Sequence, residues 1–337
     1  MKVLITGGTG TISKGIVSEL LRIGAEVTLF RRGTTPVPGT RQITGDRYDR
    51  EDFRKKLENE HFDCVIDMIC YQHQDAEELA DLFGGRIQQL IFCSTVNTYR
   101  APAPVYPITE TCPLGADPQF TYAYEKELCE RVLQKAAQEG RFQLTIIRPG
   151  ATVADDALPI SFLGSGQNAV WRLMEGKPLI VLGDGNSLWA TAHRDDVGKA
   201  IAHAAGNPAA YGKSYTIASE AAMTWEQYYE TVAAAFGAPT PKFVHLPWEI
   251  LVKCFPKDCE WSGLNFRFNN IYSSQAAQQD LGFEQTIFWP EIMERSAKFH
   301  TATGDIAPSQ IDQKYDSFIR AWDSSTESFL LNFSNFN

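Results

Sequence analysis

Over the first 150 residues the apolar positions switch repeatedly between two periods. Lys2–Thr6 is a short apolar run that predicts a strand. Ile12–Ile23 follows with apolar residues at 12, 16, 17, 20, 21 and 23, a helical stripe closed by Gly24. Ala25–Phe30 predicts a second strand, Gln42–Thr44 a weaker third, and Asp49–Glu60 a charged helix. Cys64–Ile69 and Leu90–Ser94 are apolar strands on either side of a helix at Gln74–Phe83 that stops at Gly84-Gly85. Thr121–Glu139 is a long helix ended by Gly140, and Gln143–Ile147 is a strand before Arg148-Pro149. Strands apolar on both faces, alternating with helices, predict a parallel sheet covered on both sides. The fold class is therefore α/β, a doubly wound Rossmann sheet.

After Pro149 the alternation weakens. Residues 150–190 are rich in Gly, Pro and turn formers. Asp195–Ala204 returns to a helix and Ser214–Ala218 to a strand. Thr224 is placed as an N-cap, with Glu226 and Gln227 in the first turn of a helix reaching Phe236. Residues 240–300 are mixed, with Trp248, Trp261 and Trp289 among them. The expected division is a dinucleotide-binding domain from 1–150 plus about 195–220, and a smaller, discontinuous C-terminal substrate lobe from about 151–194 and 221–300. Residues 301–337 form a polar extension to which the pattern assigns no element.

Composition narrows the classes. The 337 residues are 44% hydrophobic and 21% charged, enough for a sizeable core. The formal net charge of −10 argues against a general binder of nucleic acid or of anionic membrane, because such affinity rests on Lys and Arg meeting phosphates. Seven cysteines, an odd number, several of them in apolar runs such as Leu90–Ser94, are expected to be reduced and buried. No stretch approaches the roughly 20 apolar residues that span a bilayer, and the N-terminal apolar run is shorter than a signal-peptide core. A cytoplasmic protein with no membrane partner is expected.

The first candidate chemistry lies between the first strand and the first helix, in Thr6-Gly7-Gly8-Thr9-Gly10-Thr11-Ile12-Ser13. Gly7 permits a sharp turn. Gly10 has no side chain, so the backbone N–H groups from Gly8 and Thr9 through Thr11 and Ile12 can approach a pyrophosphate at the positive end of the helix. Ser13 stands where a third glycine would allow close packing. At the end of the second strand, Phe30-Arg31-Arg32-Gly33 offers no carboxylate to a ribose 2′-hydroxyl. Arg31 and Arg32 therefore favour NADP, with NAD still possible; two solvent-facing arginines are the competing reading. Asp46 and Arg47 end the third strand and are candidate cofactor contacts, since a carboxylate there can accept from an adenine amino group.

The second candidate chemistry is Tyr122-Ala123-Tyr124-Glu125-Lys126. Residues four apart share a helix face. A lysine near a phenol is expected to lower its pKa from about 10 by stabilising phenolate. Tyr122 would then exchange a proton with a substrate hydroxyl or carbonyl. Thr95, with Ser94 as the alternative, follows the strand Leu90–Ser94 and would hydrogen-bond the reacting oxygen.

Together these residues resemble the extended short-chain dehydrogenase/reductase family, in its epimerase and dehydratase group, over roughly residues 1–300. Thr6–Ser13 looks like that family's Thr-Gly-x-x-Gly-x-x-Gly turn. Asp46 matches its adenine-binding aspartate, and Tyr122 with Lys126 its catalytic pair. Thr95 precedes Tyr99 by four, as the family's catalytic Ser/Thr precedes its Val-Tyr-Gly. Arg148-Pro149-Gly150 and His193-Arg194-Asp195-Asp196-Val197 resemble further family segments. Phe30-Arg31-Arg32-Gly33 and the Gly45-Asp46…Asp49 spacing are similar to bacterial relatives of a plastid RNA-associated protein. The resemblance implies a sugar-like small-molecule substrate, Arg148 beside the cofactor, and a homodimer through paired helices.

The departures shape the functional reading. Asp67-Met68-Ile69-Cys70 replaces the family's His-x-Ala-Ala, and Val96-Asn97 replaces the Asp-Glu that carries out water elimination. Trp189 stands near where sugar-nucleotide enzymes place an arginine. Trp171, Trp189 and Trp261 are candidates to stack on a sugar face, with core packing the competing role. Three functions follow: an epimerase that returns the hydride it removes, an NADP-dependent ketone reductase or dehydrogenase, and a non-catalytic dinucleotide- or RNA-associated binding protein. The last has the acidic charge and the intact Tyr122/Lys126 pair against it.

Overall fold

A computed structural model describes residues 1–334 of the chain. Six strands come from the alternating region: β1 (Lys2–Thr6), β2 (Glu26–Arg31), β3 (Arg41–Thr44), β4 (Cys64–Asp67), β5 (Gln89–Cys93) and β6 (Gln143–Pro149). With the strand Ser214–Ile217 they form one seven-stranded sheet in the order Ser214–Ile217, β6, β5, β4, β1, β2, β3. Every pairing is parallel. The order reverses between β1 and β4, and in such sheets a ligand lies beyond the carboxyl ends at that reversal. Four helices alternate with these strands: α1 (Thr11–Arg22), α2 (Arg50–Leu57), α3 (His73–Phe83) and α4 (Thr121–Gln138).

The apolar strands bury both faces. On one face Val3, Ile5, Val27 and Ile66 pack with Ile16 and Leu20 of α1 and with Val197 and Ile201 of the helix Arg194–Ala204. On the other, Leu4, Phe30, Val65, Leu90 and Phe92 pack with Phe53 of α2, Leu79 and Phe83 of α3, and Cys129 and Leu133 of α4. Element ends follow local polar chemistry. β4 stops at Asp67, two residues before the apolar run does, because the Asp67 carboxylate accepts the N–H groups of Ile69 (3.0 Å) and Cys70 (2.6 Å) and turns the chain. α2 begins at Arg50, one residue late, because Asp49 caps it by accepting from Asp52 N–H at 3.1 Å. Such a cap contributes about 1 kcal/mol.

The chain divides into two compact units. The first comprises Met1–Ala154, Leu188–Ala222 and Phe268–Trp289. The sequence pattern had assigned 268–289 to the substrate lobe. The segment returns because Ala277, Leu281 and Phe283 join the core beside Tyr215 and Ile217. Asp196 then fixes it by accepting from Thr286 N–H (2.9 Å), the Thr286 hydroxyl (2.6 Å) and Ile287 N–H (3.0 Å).

The second unit comprises Asp155–Ser187, Met223–Arg267 and the chain from Pro290 onward. Its strands Leu179–Leu182 and Phe243–Leu246 pair in parallel. The helix Trp225–Ala235 starts where Thr224 was placed, and Thr224 and Gln227 cap each other's backbone reciprocally. Residues 301–337 are not without structure. The helix that starts at Trp289 runs to Thr303, and Asp312–Ser334 forms another; residues 335–337 of that expected extension lie outside the described residues. The last helix is anchored by Tyr315, whose hydroxyl accepts from Ile180 N–H at 2.7 Å and whose ring lies under the Arg172 guanidinium at 3.9 Å. Asp312 and Asp316 pair with Arg172 and Lys177. Only Asp312, Tyr315 and Ile319 are buried, too sparse a stripe to be seen as a period.

All seven cysteines are free thiols, six buried and Cys254 exposed. Among the described residues no helix is long and apolar enough to cross a membrane.

Candidate functional site

The turn after β1 is built by backbone alone. Gly7 and Gly8 have φ of +103° and +82°, which side-chain-bearing residues rarely adopt. A Cβ at Gly8 would also lie 2.7 Å from Leu29. Gly10 is extended and is the N-cap of α1, but it has no side chain to accept the first-turn N–H groups, and the first turn holds no acidic residue. By contrast α2, α3 and the helix Arg194–Ala204 each carry a side-chain cap and acidic residues at their starts. A Cβ at Gly10 would find Ser13 Oγ, 3.8 Å away, as its nearest neighbour, so open space lies over the turn. Donors without an intrahelical acceptor, a positive helix end and an open approach fit a dinucleotide diphosphate.

The close packing assigned to a third glycine is displaced. Ser13 is 4% exposed and buried in place. The contact is made instead by Gly15, where a Cβ would lie 2.4 Å from Arg194 carbonyl oxygen, against Gly198, where it would lie 2.5 Å from Gly15 carbonyl carbon. Two glycines on crossing helices let α1 sit directly against Arg194–Ala204. The sequence signal was two isolated helical glycines, one in each element.

Beyond β2 and β3 the charged residues separate into different roles. Arg31 folds back over its own loop, donating to Thr35 carbonyl and, at 2.9 Å, to Gln42 Oε1. Arg32 is exposed. Asp46 is half-buried and accepts from Tyr48 N–H at 3.0 Å. Arg47, expected at the cofactor, is 2% exposed and turned inward. Its guanidinium donates to Asp75 carbonyl (2.8 Å), lies 4.6 Å from the Phe53 ring centroid and faces Asp67 at 3.9 Å. The structure does not bring Arg47 to the surface of the turn.

At the carboxyl end of β5, Thr95 and the start of α4 meet. Thr95 accepts from Asn97 N–H at 3.3 Å, which leaves its own O–H to donate. The Tyr122 phenol lies beside that hydroxyl, close enough for Thr95 to affect its ionisation. Burial raises the Tyr122 pKa and the neighbouring Cys93 adds to it, while Thr95 works the other way; the net result is about 12. The expected lowering by Lys126 is therefore corrected. Lys126, 2% exposed, donates instead to Cys93 carbonyl at 2.7 Å, with its ammonium between the rings of Tyr71 (4.7 Å) and Phe92 (5.0 Å).

Ser94 and Arg148 lie beneath this arrangement. Ser94 donates its hydroxyl to Glu130 Oε1. Arg148 makes a two-pronged pair with Glu130 (3.0 and 2.6 Å) and donates to Tyr99 hydroxyl at 3.1 Å. Tyr99 and Thr216 hydroxyls share a 2.8 Å bond. Burial opposes the Arg148 charge, and the Glu130 pair more than offsets it. Arg148, expected beside the cofactor, is 3% exposed and already paired, and Ser94 is likewise committed to Glu130. Sequence reading missed Glu130. The available signal was its spacing: Tyr122, Lys126 and Glu130 lie four apart along one face of α4. Of the two positions after β5, Thr95 faces Tyr122 and Ser94 faces inward.

Val96, standing where dehydratases carry an acid, is 6% exposed in an apolar cluster with Tyr99, Ile108 and Tyr272. Trp189 is 4% exposed, and Trp171 lies under Lys177, 4.9 Å from the ring centroid; Trp261 is 41% exposed.

Comparison with known proteins shows the family and the fold. A 2'-dehydrokanamycin reductase of Streptomyces kanamyceticus is 29% identical over 252 residues, 74% of this chain and 70% of that protein. The chloroplast stem-loop binding protein of 41 kDa b of Arabidopsis thaliana is 26% identical over 260 residues, 72% of this chain and 65% of its own length. Among solved structures, a UDP-glucose-4-epimerase from Stenotrophomonas maltophila with bound NAD and formylated UDP-arabinopyranose superposes with a TM-score of 0.72 at 17% identity, covering 91% of this chain and 100% of that one. At that identity the likeness is one of fold. The NAD dependent epimerase/dehydratase family matches residues 3–218, which span the glycine turn, the sheet reversal and the Thr95–Tyr122–Lys126 cluster, and the chain belongs to that family.

Proposed function

We propose that this protein is a nicotinamide-dinucleotide-dependent oxidoreductase whose favoured direction is reduction of a carbonyl on a sugar-like substrate. The observation that carries this reading is the placement of Tyr122 beside Thr95 at the carboxyl end of β5, with Lys126 four residues further along α4. A bound nicotinamide supplies or accepts the hydride. Tyr122 holds the proton. Burial pushes its pKa up to about 12, so the phenol is protonated at neutral pH, the state that donates to a carbonyl oxygen. Thr95 orients the phenol from the end of β5. Lys126 lies at the base of the site, and α4 adds the positive end of its dipole beside Tyr122.

The similarity to a 2'-dehydrokanamycin reductase supports a carbonyl on a sugar ring. The buried Val96 supports redox chemistry over elimination. For the cofactor we favour NADP over NAD. Arg32 supplies the exposed charge for a 2′-phosphate, and Arg31 shapes the loop beneath it. Epimerisation with a retained cofactor is the second reading, favoured by the fold likeness to UDP-glucose 4-epimerases.

The test is to offer NADPH and NADH, with a panel of keto-sugars, to purified wild type and Tyr122→Phe. Loss of nicotinamide absorbance with wild type alone supports the reductase. Interconversion of two epimers with no net absorbance change would replace it with the epimerase. Equal behaviour of the two proteins in every assay would favour a non-catalytic binding protein; the Arabidopsis relative is named a stem-loop binding protein.

A further inference from the structure

We infer that Tyr71 is a further residue of this site, positioning Lys126 for the dinucleotide; the inference rests on the reading proposed above. Lys126 is an almost fully buried ammonium, and among the described residues no carboxylate pairs with it within salt-bridge distance. Its hydrogen-bond acceptor is the Cys93 carbonyl, and the ring faces of Tyr71 and Phe92 lie against the ammonium. An ammonium has three donors. One is used here, so two remain for acceptors such as the hydroxyls of a ribose.

An aromatic face suits this task where a carboxylate would not. A ring quadrupole attracts the cation without forming a directional hydrogen bond and without neutralising it. A carboxylate would take up the spare donors and cancel the positive charge beside Tyr122. Phe92 supplies one face from β5, deep in the core. Tyr71 supplies the other from the loop after β4, and it is 42% exposed, so it is the face that a ligand beyond the sheet can meet.

The loop is held in a way that fixes this ring. On one side of Tyr71, Cys70 Sγ lies 3.7 Å from Cys129 Sγ. On the other, Glu125 accepts from His73 N–H at 3.0 Å and contacts His73 Nδ1 at 2.9 Å. The Tyr71 and Tyr122 rings are 6.4 Å apart. Residues 122, 125, 126 and 129 form one stripe of α4, so the whole loop from Cys70 to His73 runs along the face that carries the proton donor. Sequence reading noted only that Asp67–Cys70 departs from the family pattern; the tyrosine that follows was not singled out.

The experiment compares wild type, Tyr71→Phe and Tyr71→Leu by titration with NADPH and NADH, read by protein fluorescence quenching, with thermal unfolding of each free protein alongside. Phe keeps the ring and Leu removes it at a half-exposed position that tolerates the change. The expected result is an unchanged Kd for Tyr71→Phe and a Kd raised about 3- to 30-fold for Tyr71→Leu, at equal unfolding temperature. A Tyr71→Leu Kd equal to wild type overturns the inference and leaves the oxidoreductase reading intact. A Tyr71→Phe loss as large as that of Leu also overturns it, because the hydroxyl and not the ring would then be responsible. Wild type that binds neither dinucleotide overturns both.

Discussion

The glycine turn after β1 and the Tyr122 pocket after β5 sit at carboxyl ends of the same sheet, yet they are built on different principles. The turn is contiguous in sequence, made of backbone groups, and needs side chains only to be absent. The site joins Thr95 after β5 with Tyr122 and Lys126 of α4, and their positions are set by groups beneath them. Glu130 shows this most directly. It is fully buried, accepts from Ser94 at the end of β5 and from Arg148 in β6, and so ties α4 to two strands. A backbone site tolerates little change within its own few residues and is indifferent to the rest. A side-chain site can be broken from a distance.

That contrast can be tested in order of effect. Gly10→Val fills the open approach to the turn, and titration with NADPH should detect no binding, while thermal unfolding stays near that of wild type. Persistent binding would show that the diphosphate does not approach at Gly10. Tyr122→Phe should leave dinucleotide affinity intact and lower turnover by about 10²–10⁴-fold, the usual contribution of a positioned acid or base. Turnover also carries a pH signature. Because burial holds the phenol near 12, reduction should stay level from neutral pH into the alkaline range, whereas oxidation, which needs phenolate, should keep rising. An oxidation rate that is flat above neutral pH would contradict the assignment.

Glu130→Ala acts from below. It leaves the buried Arg148 guanidinium without its partner, and unfolding free energy should fall by about 3–5 kcal/mol. Calorimetry that shows no shift would mean the pair does not fasten α4. The smallest effect is expected at the edge of the turn. Arg32→Asp should reduce the preference for NADPH over NADH by about 10–100-fold, the loss of one or two hydrogen bonds to a charged group. Arg31→Asp should change loop order more than cofactor choice, since its guanidinium is already spent on Thr35 and Gln42. Equal effects of the two substitutions would show that both arginines reach the ligand.

What could be read from the sequence follows the same division. β1, the start of α1, the parallel alternation and the Tyr122–Lys126 spacing were legible because each depends on neighbours a few residues away. So was the Thr224 cap, which is a local exchange of hydrogen bonds. Arg47 is a cofactor candidate from its place at a strand end, and Arg148 from the family resemblance. Their side chains instead turn inward toward Asp75 and Glu130, acceptors 28 and 18 residues away along the chain. Nothing in the local pattern distinguishes an arginine pointing outward from one that finds a buried carboxylate.

The sequence alone therefore determined the parts whose physics is short-range: alternating buried strands and helices, a glycine turn that only glycine can make, and a tyrosine and lysine on one helix face. The tertiary structure decided which polar groups remain available. It gave Thr95 and not Ser94 to Tyr122, moved the close helix contact from Ser13 to Gly15 and Gly198, and set Lys126 against Tyr71 rather than against the phenol. It also returned residues 268–289 to the first unit. The reason is that burial, charge pairing and hydrogen-bond saturation are properties of surroundings, and those surroundings are assembled from segments far apart in the chain.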